Sequence, residues 1–175
     1  RLDGEVDDSG RFLRASGDVQ LFVIPSSPSF YLVSAATEVV IPAGYYVVSE
    51  EIVWSGLVKI KSDGQAIIHQ TDQSKTTFKF TQERNNYNRF PTYRNIVEGI
   101  KFVGGKHAIF FQNENQDATS FKADNCEFHT TSDYAISMTG TWKPSDDHLS
   151  ALVEVQSCKF IKTNGFVYNK ADKCV

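Results

Sequence analysis

The sequence predicts an all-β fold, a solenoid of short parallel strands, and three observations carry that prediction. The first is internal copying. The stretches 95–102 (NIVEGIKF), 121–128 (FKADNCEF) and 153–160 (VEVQSCKF) each close on an apolar residue or Cys, one charged residue and Phe: Ile100-Lys101-Phe102, Cys126-Glu127-Phe128 and Cys158-Lys159-Phe160. A second element, at 108–111 (AIFF), 135–138 (AISM) and 166–169 (FVYN), has an earlier copy at 66–69 (AIIH). Repeats of this size mean one supersecondary unit stacked on the next. The second observation is phase. Phe102 precedes Ala108 by 6 residues, Phe128 precedes Ala135 by 7 and Phe160 precedes Phe166 by 6, whereas the units are 26 and 32 residues long. The strands are therefore fixed and the connections vary. The third is chemistry: the copied segments alternate apolar with polar and are rich in Phe, Ile and Val, and no window after Val58 shows a helical period. Strands of about 3 to 5 residues, several to a unit of about 25, suit a β solenoid.

Taken in order, 1–15 (RLDGEVDDSGRFLRA) predicts a short helix capped by Asp8 or Ser9, with Phe12 and Leu13 as its apolar face. Apolar runs at 21–24 and 30–33 flank a turn at Pro25, Ser26, Ser27 and Pro28. At 39–48 one strand runs into Pro42-Ala43-Gly44, which turns the chain, and a second strand leaves. Beyond it, equivalent residues of successive coils should stack at about 4.8 Å. The expected inner columns are Phe102/Phe128/Phe160, Ile100/Cys126/Cys158 and Ile109/Ile136/Val167, with the polar residues between them facing outward. Asn95, Asn125 and Asn164 are read as turn residues.

A chain of 175 residues is expected to be a single domain, 1–175, with a cap over about 1–38 and coils over 39–175. Thirteen Phe and seven Tyr against one Met suit a β-rich interior. A net charge of −3 and a pI near 5.8 give no general polyanion-binding field, and no nucleic-acid module is legible. No apolar run approaches the length of a membrane span, and no signal peptide is visible. The three Cys (126, 158 and 174) suit neither zinc spacing nor a disulfide framework. Cys126 and Cys158 share a repeat position, which reads first as a buried thiol ladder, with a disulfide or metal as the alternative.

Three parts of the chain together resemble the pectate-lyase-like superfamily: Gly4-x-x-Asp7-Asp8-Ser9, the Ile41-Pro42-Ala43-Gly44-Tyr45-Tyr46 segment, and coils ending in NCEF (125–128) and SCKF (157–160). They occur in the family's order and span essentially the whole chain. The resemblance implies a right-handed single-stranded parallel β-helix with a short N-terminal cap. It departs from the family at 16–33, which looks strand-like where a long Ala-rich helix is usual. Phe12, Leu13, Leu21 and Phe22 are expected to cover the first coil. No closing segment precedes Cys174-Val175, so the C-terminal end is expected to be truncated, or covered by another subunit such as a partner in a homotrimer.

The resemblance implies carbohydrate work, outside the cell, at its surface or on a virion. Members of the superfamily act on acidic polysaccharides as lyases or hydrolases, and phage tailspikes share the fold. Fold alone fixes no function, so the connections carry the candidates. Phe78 lies 24 residues before Phe102, against 7 between the equivalent positions of later units, an excess of 17 at the segment 82–94 (QERNNYNRFPTYR). Its Tyr87, Arg89, Tyr93 and Arg94 are candidate substrate-binding residues: aromatics stack on sugar rings and guanidinium groups fork onto carboxylates. A second excess, of 5 residues, falls on 139–150 (TGTWKPSDDHLS). Trp142 is its candidate sugar platform, and Asp146, Asp147 and His148 its candidate catalytic acid–base set. Each segment reads first as a structural one, 82–94 as a long surface loop packed on a neighbouring coil or subunit and 139–150 as a plain turn.

No cofactor is certain. Ca²⁺ is the one the resemblance brings, since the family's lyases use it. Its candidate ligands are residues 113–117 with Asp124, Glu127 and Asp133. The absence of Arg from 99 to 175 weakens a lyase reading, which needs an Arg base. His69, His107 and His129 are each read as single histidines, satisfied or at the surface. Two functions stay open: binding, with or without depolymerisation, of an acidic polysaccharide, or a non-catalytic structural module such as a tailspike stem.

Overall fold

The computed structural model describes residues 7–20, 37–55, 58–81, 94–114, 118–141 and 150–170. One helix, α1 (Ser9–Gln20), precedes twelve strands. They are β1 (Thr37–Val48), β2 (Ile52–Ser55), β3 (Val58–Gln70), β4 (Phe78–Thr81), β5 (Arg94–Gly104), β6 (Ile109–Glu114), β7 (Ala118–Asp124), β8 (Glu127–His129), β9 (Tyr134–Thr141), β10 (Ser150–Gln156), β11 (Lys159–Ile161) and β12 (Gly165–Lys170). The chain is mostly β, as expected. The strands form two open sheets. The first runs β1-β3-β5-β7-β10, with β8 beside β5 and β11 beside β8; the second runs β2-β4-β6-β9-β12. All the strand pairs are parallel. The chain alternates between the sheets, so each unit lays one layer on both.

The register aligns the copied residues. Tyr46, Ile68, Phe102, Phe128 and Phe160 form one column, and Ile52, Phe78, Ile109, Ile136 and Val167 another. The Phe102 and Phe128 rings stack at 5.6 Å and 5°, and Phe128 and Phe160 at 5.1 Å and 21°. Trp54, Phe80, Phe111 and Met138, all buried, align beside the second column. Burying each large apolar side chain contributes about 1.5–3 kcal/mol, so these columns are the main cohesive element of the fold.

Two recurring corners bend the chain between its strands. At the first, Gly99, Asn125 and Ser157 all have left-handed backbone (φ 70°, 50° and 53°). At the second, Gly104, Thr130 and Lys162 do the same (φ 74°, 54° and 54°). Asn125 is thus the turn residue expected. Asn95 is not: it is buried in β5, and its Oδ1 accepts the Val58 N–H at 2.8 Å. A buried N–H at the start of β3 needs an acceptor, and the Asn amide supplies it inside the sheet. Asn164 does lie between β11 and β12, and its Nδ2 donates to the Ser132 carbonyl at 2.6 Å.

Pro42-Ala43-Gly44 does not divide two strands. It lies within β1, where the pairing with β3 slips by a bulge between Pro42 and Gly44. Strands β1, β3 and β5 are accordingly 12, 13 and 11 residues long, longer than the 3 to 5 expected, because they run through corners that separate β7 from β8 and β10 from β11 in later units.

The N-terminal helix forms where expected but runs on through Gln20, so 16–20 is helical rather than strand-like. Asp8 and Ser9 join it to β1. Asp8 N–H donates to the Val47 carbonyl at 2.7 Å, and Asp8 Oδ2 accepts the Val47 N–H at 2.9 Å. Ser9 Oγ accepts from the N–H groups of Ser49 and Glu50 at 2.9 and 3.2 Å. Phe12 covers the first unit as expected, packing edge-on against Tyr46 at 5.6 Å and beside Phe78 at 6.1 Å. Leu13 does not; it is 42% exposed, being turned about 100° from Phe12 around the helix. Leu21, Phe22 and the runs at 21–24 and 30–33 lie outside the described residues. No helix among the described residues is long and apolar enough to cross a membrane.

Candidate functional site

The outward face of the first sheet carries charged columns. Glu38, Lys59, Ile96, Lys122 and Glu154 align in one, Lys61, Glu98 and Asp124 in the next, and Lys101, Glu127 and Lys159 in a third. Opposite charges meet across and along them. Lys61 reaches Glu38 at 2.6 Å, Lys59 reaches Glu98 at 3.1 Å, Lys122 reaches Asp124 at 3.0 Å and Glu154 at 3.6 Å, and Lys159 reaches Glu127 at 2.9 Å. The bond from Lys159 and then that from His129 hold the Glu127 carboxyl below the usual range, and Lys61 does the same to Glu38. Carboxylates held ionised in this way are poor proton donors near neutral pH. Among the described residues the charges of this face are paired, with no concentrated field of one sign.

Of the candidate Ca²⁺ ligands, Asp124, Glu127 and Asp133 have described side chains. Asp124 and Glu127 are engaged by lysines, and Asp133 lies 3.9 Å from His107. Asn113 and Glu114 end β6, and 115–117 lie outside the described residues. Among the described residues no three His, Cys, Asp or Glu side chains converge. Each of the three single histidines has a partner. His69 Nδ1 meets the Tyr45 hydroxyl at 2.7 Å, His107 Nδ1 meets the Tyr134 carbonyl at 2.9 Å, and His129 Nε2 meets Glu127 at 3.2 Å. The Tyr45–His69 pair was not legible in the sequence, because the two residues are 24 apart and only the β1–β3 register joins them.

Of the candidate substrate-binding residues, Arg94 opens β5, although nothing of its side chain is described. Tyr87, Arg89, Tyr93 and Trp142 lie outside the described residues, as do the candidate catalytic residues Asp146, Asp147 and His148. Their anchors are described, and they share an edge. The connections 82–93, 115–117 and 142–149 all leave the second sheet and enter the first, between β4 and β5, β6 and β7, and β9 and β10 respectively. The strands they leave are in register at Thr81, Gln112 and Thr139, and the strands they enter at Arg94 with Ser120 and at Ala118 with Ser150. Adjacent strands lie about 4.8 Å apart. The two long connections thus spring from one edge, about 10 Å apart, with the short one between them.

The thiol column is as expected at Cys126, which is fully buried, whereas Cys158 is half-buried. Cys126 Sγ lies 3.3 Å from the Asp124 carbonyl and Cys158 Sγ 3.2 Å from that of Gln156, and both thiols are free. Cys174 lies outside the described residues. Comparison of the chain with protein-family models, with curated proteins and with solved structures finds no significant match.

Proposed function

We propose that the two sheets are faces of one right-handed single-stranded parallel β-helix, and that this domain binds an acidic polysaccharide outside the cell, at its surface or on a virion. The alternation of strands between sheets supports the winding, and parallel crossovers in a sheet are right-handed in the great majority of cases. The single observation that carries the binding reading is the shared edge: two long connections, both rich in aromatic, cationic or acidic residues, are anchored on one edge of the paired strands on either side of a short one. A linear glycan lying along the stack would meet both. Tyr87, Tyr93 and Trp142 would stack on its rings, Arg89 and Arg94 would hold its carboxylates, and Asp146, Asp147 and His148 would supply acid–base chemistry if the chain is cleaved.

The ion-paired outer face favours a second reading, a non-catalytic stem or adhesin module that associates as a homotrimer or with a covering subunit. A face whose charges cancel within itself has little left to grip a polyanion. One screen separates the two. Uronate and capsular glycans are incubated with the protein, with and without Ca²⁺, and binding, new double-bond absorbance and new reducing ends are read in parallel. Binding that Arg89→Ala and Trp142→Ala abolish supports the first reading, and new ends or double bonds add catalysis to it. No binding to any acidic glycan, with a trimeric mass in light scattering, replaces it with the second.

A further inference from the structure

Cys126 and Cys158 hold equivalent places in successive units. The flanking register pairs Glu127 with Lys159, and the Lys159 N–H donates to the Cys126 carbonyl at 2.9 Å. Each cysteine follows a left-handed corner residue, Asn125 (φ 50°) or Ser157 (φ 53°), so the same local bend aims both thiols the same way. The Cys126 thiol reaches the Val97 carbonyl at 3.5 Å and the Cys158 thiol the Ala123 carbonyl at 3.6 Å; Val97 and Ala123 are register partners, so each sulfur points back toward the unit before its own. In-register parallel neighbours are about 4.8 Å apart at Cα, inside the ~4.4–6.8 Å range that a disulfide spans. The pair is asymmetric, since Cys126 is sealed in the core while Cys158 is open to solvent on one side.

We propose that Cys126 and Cys158 form a reversible dithiol–disulfide pair that clips the fourth and fifth units together, with Cys158 as the attacking thiol and Cys126 as the resolving one. The oxidant is a low-molecular-weight disulfide. The Cys158 thiolate attacks one of its sulfurs, forming a mixed disulfide and expelling the first small thiolate. Cys126 sulfur then attacks Cys158 sulfur, giving up its proton to the second small thiolate as that leaves. Two thiols lose two electrons and two protons, and one disulfide becomes two thiols. The Cys126 thiol beside it leads in bringing the Cys158 thiol down to about 7, against half-burial and the nearby Asp124 carboxylate. Cys158, and then burial, push the Cys126 thiol up. The more accessible sulfur, which is also the more readily ionised, attacks before the enclosed one.

The test treats the folded chain carrying Cys174→Ser with oxidised glutathione and follows intact mass and peptide maps over time. The expected course is a transient glutathione adduct on Cys158 that decays into a Cys126–Cys158 crosslink, reversed by dithiothreitol. In Cys126→Ser the adduct on Cys158 should persist, and in Cys158→Ser Cys126 should stay unmodified until denaturant is added. Circular dichroism checks that each variant keeps its β signature. If Cys126→Ser fails to fold, the time course of the intact pair decides by itself. A stable adduct with both cysteines present, first modification at Cys126, or no reaction of either thiol in the folded chain overturns the proposal.

Discussion

The same columns are sealed in the middle of the described stack and more exposed in its last described unit. In the middle units Phe102, Phe128, Ile109, Ile136, Val97 and Ala123 are buried. In the last described unit Val155 and Val167, on the same columns, are each 37% exposed, and Phe166 is 63% exposed. At the opposite end Phe12 of α1 closes the first unit over Tyr46 and Phe78. The repeat gives each unit the same inward residue types, but position in the stack sets how much each side chain contributes. A residue with a neighbour on both sides loses all of its water; a residue on an end layer loses about half. Stability in such a chain is a sum over layers and the contacts between them.

Substitutions along one column sharpen that contrast. Phe128→Ala, between two stacked rings, should lower unfolding free energy by about 3–5 kcal/mol, and Val167→Ala by about 1 kcal/mol or less. Urea denaturation measures both, and equal losses would remove the distinction between middle and end.

The second corner offers a comparison at fixed backbone conformation. A Cβ on Gly104 would lie 2.5 Å from the Gln70 carbonyl oxygen, so the layers there leave no room for one. Gly104→Ala should cost about 1–3 kcal/mol. Lys162 shares the left-handed conformation on the last layer, and Lys162→Gly should be neutral or slightly stabilising in the same assay.

At the covered end, Asp8→Ala removes the acceptor of the Val47 N–H and should cost about 1–2 kcal/mol; Asp8→Asn, which keeps an acceptor oxygen, should cost less. Thermal melts of the two variants check the order, and an equal loss would assign the effect to charge rather than to the bond.

The smallest effect belongs to the charged face. Glu127 has a folded-state pKa depressed first by Lys159, so its contribution is present above the unfolded value of about 4.3 and is lost as pH falls through the folded value. The Lys159→Ala variant should therefore differ from the parent in melting temperature only slightly at neutral pH, and not at all at high salt or below that range.

The columns were legible because a repeat writes the same residue at the same phase several times over. Phe102, Phe128 and Phe160 needed no structure to be aligned. Residues that occur once misled. Asn95 resembled Asn125 in type, yet it completes a buried backbone bond that only the β3–β5 pairing creates. The stretch 16–33 looked strand-like, while the helix continues to Gln20. Its inner face, Phe12 with Ala15, follows the spacing of a helix rather than adjacency, which is why Leu13 points away. The ion pairs were illegible for a related reason: Lys59 and Glu98 are 39 residues apart and meet only through register. The long connections were found by subtraction of spacings, but their common edge is a property of strand order, which no single spacing contains.

Nuclear Overhauser contacts in solution test the layering most directly. Parallel in-register stacking predicts ring contacts from Phe102 to Phe128 and from Phe128 to Phe160, a weak or missing contact from Phe102 to Phe160, and Hα-to-amide contacts running in one direction between β8 and β11. Strong Hα–Hα contacts of an antiparallel hairpin between these segments, or rings of Phe128 and Phe160 in unrelated surroundings, would contradict it.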